Sequence, residues 1–233
     1  MRTEGRRHPA HGGYARGEEA RSQIIAVAIG AFGLRGYEGT STRSIADLAG
    51  VNTPALQYYF GGKPGLYHAC AEHIAKIASA KLTPALRSAR RALARNAEPG
   101  ELLRELRTLL ADILEMLLGS EESAPWALFL MREQAHPTAA FDVVYGTMEP
   151  VLKLCAALIG RITGRSADDP EVLIMALGLY GQVTSFRFSH EALLRTLGTR
   201  AVGKAELRQI KTVIARQVEA ALADGADRRS GRE

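Results

Sequence analysis

The chain has 233 residues, 46% of them hydrophobic and 6% aromatic, with a formal net charge of +5. That is ample material for a packed core and length for one large domain, or a small one joined to a medium one. No run approaches the ~18 apolar residues of a membrane span, and the arginine-bearing N-terminus lacks the apolar stretch of a secretion signal.

Residues 1–17, MRTEGRRHPAHGGYARG, have no hydrophobic periodicity and read as a disordered basic tail. Their alternative use is as an arm along a DNA minor groove, through Arg2, Arg6, Arg7 and Arg16. A helix is expected from Glu18 to Leu34, with Ile25, Ala28, Ile29 and Phe32 as its apolar stripe and Gly36 ending it. Tyr37 belongs to the same small core.

The stretch Ser41–Lys63, STRSIADLAGVNTPALQYYFGGK, has the spacing of a helix-turn-helix. Ser41 caps a first short helix that buries Ile45, Ala46, Leu48 and Ala49. Gly50 supplies a positive φ at its end, and Val51 plugs the corner. Asn52 caps a second helix with Pro54 in its first turn, held to the first by Leu56 and Phe60. Thr53, Pro54, Gln57, Tyr58 and Tyr59 are then left to face base edges, thymine methyls and phosphates. Residues 1–67 carry 8 Lys+Arg against 5 Asp+Glu, or +3, while residues 68–233 carry 22 against 20, or +2. The excess per residue is thus greatest around this motif, as contact with phosphates requires.

With its flanks, the run IIAVAIGAFGLRGYEGTSTRSIADLAGVNTPALQYYFGGKPGLY resembles the N-terminal domain of the TetR family of transcriptional regulators, over about the first third of the chain. The resemblance implies that Lys63 meets a DNA phosphate, and the free amides of the helix start at Pro64 favour the same anion. Thr42 and Arg43 complete the expected DNA contacts. Gln57 stands where most of the family has tyrosine, so base contacts of tyrosine-bearing relatives do not transfer to it.

The next helix continues through Lys81 with Leu66, Cys70, Ile74 and Ile77 buried, and Thr83-Pro84 should break or bend it before a short basic helix. Pro99 opens another, striped by Leu102, Leu106, Leu109, Ile113 and Met116; GSEESAP is a loop. Trp126, Phe129, Leu130 and Glu133 share a helix face that His136-Pro137 ends. A long helix from Thr138 to Ile162, kinked at Pro150, follows; then Asp169-Pro170-Glu171 starts a helix apolar nearly all round, as befits burial on both sides. A short helix near Glu191–Leu197 and a last one from Lys204 to Ala223, striped by Leu207, Ile210, Ile214, Val218 and Ala221, complete an all-α chain. REQAHPTAAFDVVYGTMEP and GLYGQVTSFRFS resemble the CecR-type (YbiH-like) branch of TetR regulators, over about residues 124–197.

Cys70 and Cys155 read as reduced core thiols of a cytosolic protein. His68, Glu72 and His73 miss the zinc-helix spacings; His68, Glu72 and Lys76 share a face that suits a solvated Glu72–Lys76 pair, and His73, beside the Cys70–Ile77 stripe, suits a satisfied core histidine better than a metal ligand. No nucleophile elbow, phosphate-cradling glycine loop or Cys-x-x-Cys occurs, so neither an enzyme nor a cofactor is expected. Trp126, Phe129, Tyr145, Met148, Tyr180 and Phe186 could be ordinary core. Arg132, Gln134, Tyr145, Tyr180, Gln182 and Arg187, however, put polar ends in or beside apolar helices, as a small-molecule site would. The expected protein is therefore a cytoplasmic homodimeric repressor. Residues 18–66 would bind double-stranded operator DNA, and residues 67–225 would dimerise and bind an effector, with 226–233 a tail. The effector site is expected at Trp126, Phe129, Arg132, Tyr145, Met148, Tyr180, Gln182 and Phe186, and the interface at Leu177, Ile210 and Ile214. The rival readings are a DNA-binding or protein-interaction module without effector, and a helical enzyme carrying this domain.

Overall fold

The computed structural model describes residues 11–120 and 123–230, and among these every regular element is a helix. The order is α1 (His11–Arg35), α2 (Thr42–Ala49), α3 (Thr53–Phe60), α4 (Lys63–Ala94), α5 (Pro99–Leu118), α6 (Ser123–Ala135), α7 (Phe141–Thr163), α8 (Pro170–Phe188), α9 (His190–Leu197) and α10 (Lys204–Ser230). The all-α expectation therefore describes the molecule. Arg2, Arg6 and Arg7 of the basic tail lie outside the described residues.

Two cores are built, and α4 runs through both. In the first, Ile25, Ala28, Ile29 and Phe32 of α1 pack on Ile45 and Leu56 of the short helices and on Leu66, Cys70 and Ile74 of α4. Phe129 of α6 belongs to this core too, fully buried against Tyr67. The second core joins the C-terminal half of α4 to α5, α7, α8 and α10.

Several boundaries differ from expectation. Helix α1 begins at His11 rather than Glu18, and α10 runs on to Ser230 rather than stopping near Ala223. No break occurs at Thr83-Pro84, where α4 continues to Ala94. Pro84 and Ala80 both lie on the exposed side, so the Ala80 carbonyl that loses its helical donor faces water. Thr83 Oγ1 reinforces this turn by donating to the Ser79 carbonyl at 2.7 Å. Leu48, expected inside, is 59% exposed, because α2 turns only Ile45, Ala46 and Ala49 inward. On α10, the buried residue is Leu222 and not Ala221. Helix α7 is, by length and composition, apolar enough to cross a membrane, contrary to the reading that no run came close. Here Cys155, Leu158 and Ile159 are fully buried in the second core, which accounts for the composition.

Candidate DNA interface and effector cavity

The helix-turn-helix is closed by its caps. Ser41 is in extended conformation and its Oγ accepts the Ser44 N–H at 3.1 Å. Gly50 takes φ 67°, which lets the Val51 N–H return to the Ala46 carbonyl at 3.0 Å. Asn52 Oδ1 then accepts the Ala55 N–H at 2.9 Å, starting α3. The chain reverses again at Gly61 and Gly62, and a Cβ at Gly65 would collide with the Phe60 carbonyl oxygen, so α4 can start this close to α3 only with glycine there.

Leu56 faces inward, and Thr53, Pro54, Gln57 and Tyr58 outward. Tyr58 is 84% exposed, which leaves its ring and hydroxyl free to meet a partner. Tyr59 is half-buried and meets Tyr58 edge-on with ring centres 5.2 Å apart. Lys63 holds its Nζ 4.3 Å from the centre of the Tyr37 ring at the first turn of α4. A shallow hollow joins Lys63 to Arg35, Glu38 and the start of α2 at Ser41, Thr42 and Ser44. Arg43 is exposed beside it. Against the one Glu38 carboxylate, the two cations and the amides that open α2, apart from that of Ser44, suit a phosphate. Arg35 was missed by sequence reading, because it sits outside the motif and joins it only in space.

The second feature is a cavity of about 320 Å³ between the helices of the C-terminal region. Helix α4 lines it with Ala71, Ile74, Ala75, Ala78 and Leu82, and α5 with Ile113, Met116 and Leu117. Leu130 and Gln134 enter from α6, and Val144, Thr147, Met148 and Val151 from α7. Leu177, Tyr180, Gly181, Thr184 and Phe188 of α8 close it. Of the residues expected there, Met148 and Tyr180 line it. The others are elsewhere. Trp126 packs on the first core with Lys81 Nζ 5.7 Å from its ring centre, and Phe129 fills that core. Tyr145 is partly exposed and stacks on Phe141, Gln182 donates to Gln217 on the surface at 2.5 Å, and Phe186 packs on the second core. Those rings and tips satisfy packing between helices. Small residues on α4 are what leave the space.

Arg132 and Glu133 join the two regions. Arg132 Nε and Nη2 donate to the carbonyls of Gly33 and Leu34 at the end of α1, both at 2.7 Å. The fully buried Glu133 carboxylate accepts the Tyr67 hydroxyl of α4 at 2.6 Å, and the Thr138 N–H and Oγ1 at 3.2 and 3.1 Å. Burial and this carboxylate push the Tyr67 phenol far above its ordinary range, so it stays a donor. The same α6 turns carry Leu130 and Gln134 into the cavity.

His68 Nδ1 lies 3.6 Å from Glu72 on an exposed face, in place of the expected Glu72–Lys76 pair. Among the described residues no three His, Cys, Asp or Glu side chains gather to hold a metal. Ile210 and Ile214, expected at a subunit interface, are 6% and 2% exposed within this chain's own second core. Their stripe is spent on α5 and α7. Leu177 is 55% exposed, and Leu173 and Ile174 of α8 join it in an apolar outward face.

Comparison with known proteins gives the family. The profile described as "Bacterial regulatory proteins, tetR family" matches residues 24–70, and "HTH-type transcriptional dual regulator CecR, C-terminal domain" matches residues 102–225. The HTH-type transcriptional dual regulator CecR of Shigella flexneri is 32% identical over 216 residues, covering 92% of this chain and 96% of that protein. The chain belongs to the TetR family of bacterial transcriptional regulators. Within it, the C-terminal region is of the CecR type, and the protein is a DNA-binding regulator and not an enzyme. Among solved structures, a transcriptional regulator from Pseudomonas aeruginosa PAO1 shares the fold with a TM-score of 0.63 at 16% identity, covering 91% of this chain and 94% of that one. AibR, solved in complex with isovaleryl coenzyme A and operator DNA, shares it with a TM-score of 0.61 at 14% identity, covering 84% and 96%.

Proposed function

We propose that this TetR-family regulator is a cytoplasmic repressor that binds operator DNA as a homodimer and releases it when a small, largely apolar molecule occupies the cavity. The observation that carries the proposal is that the helices walling the cavity also hold the DNA-binding region. Helix α4 lines the cavity with Ala71 to Leu82 and begins at Lys63 beside α3. Helix α6 lines it with Leu130 and Gln134 and grips α1 through Arg132. A ligand that prefers another spacing of α4 and α6 must therefore move α1–α3 with them. Two recognition helices of a dimer read successive major grooves only at about 34–36 Å separation, so a small rotation lowers affinity.

The exposed α8 face of Leu173 and Ile174 serves as the centre of the dimer interface, in place of Ile210 and Ile214, with Leu177, which also borders the cavity, at its edge. No side chain lies within 4 Å of a Cβ built at Gly178 or Gly181, so a second helix could approach this face closely. At the DNA surface, Thr53, Pro54, Gln57 and Tyr58 read bases, while Thr42, Arg43, Tyr59, Lys63 and Arg35 hold the backbone.

The test is to fill the cavity. Ala78→Trp occupies the space from α4 without touching α1–α3, and should leave operator binding intact while abolishing release by ligand in an anisotropy titration. If Ala78→Trp still releases DNA at the wild-type ligand concentration, the cavity is not the effector site.

A further inference from the structure

The wall of the cavity narrows what can enter it. Among the described residues no Asp, Glu, Lys, Arg or His side chain lines it. An ion moving there would leave water and gain no counter-charge. The wall's polar groups are few, and most are engaged. Thr147 Oγ1 donates to the Val143 carbonyl at 3.2 Å, and Thr184 Oγ1 to the Gly181 carbonyl at 3.1 Å. Gln134 is exposed at the rim, with its amide nitrogen 4.0 Å from Met148 Sδ. Tyr180 is different. Its ring packs on the second core, where leucine or phenylalanine would serve, yet among the described residues its hydroxyl has no hydrogen-bond partner. Burial pushes this phenol up to about 12, so it keeps its proton and remains a donor at neutral pH. The hydroxyl is not among the buried unpartnered atoms, so it stays open to the cavity, where a ligand acceptor can take the place of water.

Resting on the effector reading above, we propose that the cavity selects an uncharged molecule with an apolar body and a carbonyl-type acceptor, and that Tyr180 is the specificity-determining residue that donates to it. The rival anchor is Arg187, one turn beyond Thr184 on α8, whose buried Nε has no partner but which does not line the cavity. A ligand held there would be a carboxylate instead.

Three matched probes separate these outcomes: 2-acetylnaphthalene, 2-ethylnaphthalene and 2-naphthoate, titrated calorimetrically into the full chain at pH 7. The ketone should bind about fivefold tighter than the ethyl compound, the worth of one neutral hydrogen bond. It should bind roughly a hundredfold or more tighter than the carboxylate, which must shed its water. In Tyr180→Phe the ketone and the ethyl compound should bind alike, at the wild-type affinity of the ethyl compound. The proposal is overturned if naphthoate binds as tightly as the ketone and loses that affinity in Arg187→Gln. It is equally overturned if the ketone's advantage survives in Tyr180→Phe, or if none of the three binds. Operator release, measured in parallel, keeps the two readings apart. A ketone that binds with Tyr180 dependence but leaves DNA bound would refute the regulatory reading alone. Release by all three probes without discrimination would refute only the ligand class.

Discussion

Arg132→Ala tests how the cavity is coupled to the DNA. The guanidinium makes two charge-assisted hydrogen bonds, to the Gly33 and Leu34 carbonyls, at the negative end of α1. Such bonds contribute about 1.5–3 kcal/mol each when sheltered. The Leu34 bond is solvent-exposed and the Gly33 bond only part-buried, so together about 2 kcal/mol is the reasonable expectation. The ordinary strength of coupling in regulators, about 1–3 kcal/mol or 5–150-fold in affinity, is of this size. Losing the clamp should therefore remove most of the response. The assay is operator affinity by fluorescence anisotropy, with and without saturating ligand, beside calorimetric ligand binding to the free protein. Ligand affinity and ligand-free operator affinity should stay near wild type, because Arg132 touches neither partner. The ratio of operator affinities with and without ligand should fall most of the way toward one, and by reciprocity DNA should weaken ligand binding correspondingly less. A wild-type ratio in a folded Arg132→Ala protein would refute the reasoning and leave α4 alone to carry the signal.

Other expectations follow from the same geometry. Lys63→Ala should weaken binding to all DNA sequences alike and reduce the slope of log affinity against log salt by about 0.9, one phosphate's worth; an unchanged slope would remove Lys63 from the phosphate contacts. Ile174→Asp places a charge on the 69%-exposed α8 face and should give a folded monomer by light scattering, whereas Ile214→Asp buries a charge in the core and should unfold the chain. A dimeric Ile174→Asp would move the interface elsewhere. His73 is held below its ordinary range, first by burial and then by the Lys76 and Arg21 cations. The unfolded chain therefore takes up a proton below about pH 6.5 that the folded chain resists, so stability falls as pH drops through that point. Urea midpoints at pH 5 and 7 should differ less in His73→Gln than in wild type.

What was legible in the sequence is what short-range geometry controls. Ser41, Gly50 and Asn52 act on backbone groups three to five residues away, and Leu56 fixes which side of α3 is left outside. The helix-turn-helix and its outward residues could thus be read from one contiguous stretch. Helix type was legible for the same reason, since periodicity is local. Length was less so, because the cost of Pro84 inside a helix depends on whether water can satisfy the carbonyl it orphans, and here Ala80 is on the wet side.

The cavity was decided by tertiary structure alone. It is made by five helices and owes its volume to Ala71, Ala75 and Ala78, that is, to atoms no residue supplies. Aromatic and polar residues drew attention to Trp126, Phe129 and Arg132, but large side chains are what fill a seam between helices. These three hold α6 in the first core and on the end of α1. The α10 stripe of Ile210 and Ile214 could equally have met a second copy or this chain's own α5 and α7. Nothing in a periodic pattern distinguishes one apolar neighbour from another, because burial has no direction beyond the helix face. Only the packing of α5 and α7 against α10 settled it, and left Leu173, Ile174 and Leu177 of α8 as an apolar face open to water.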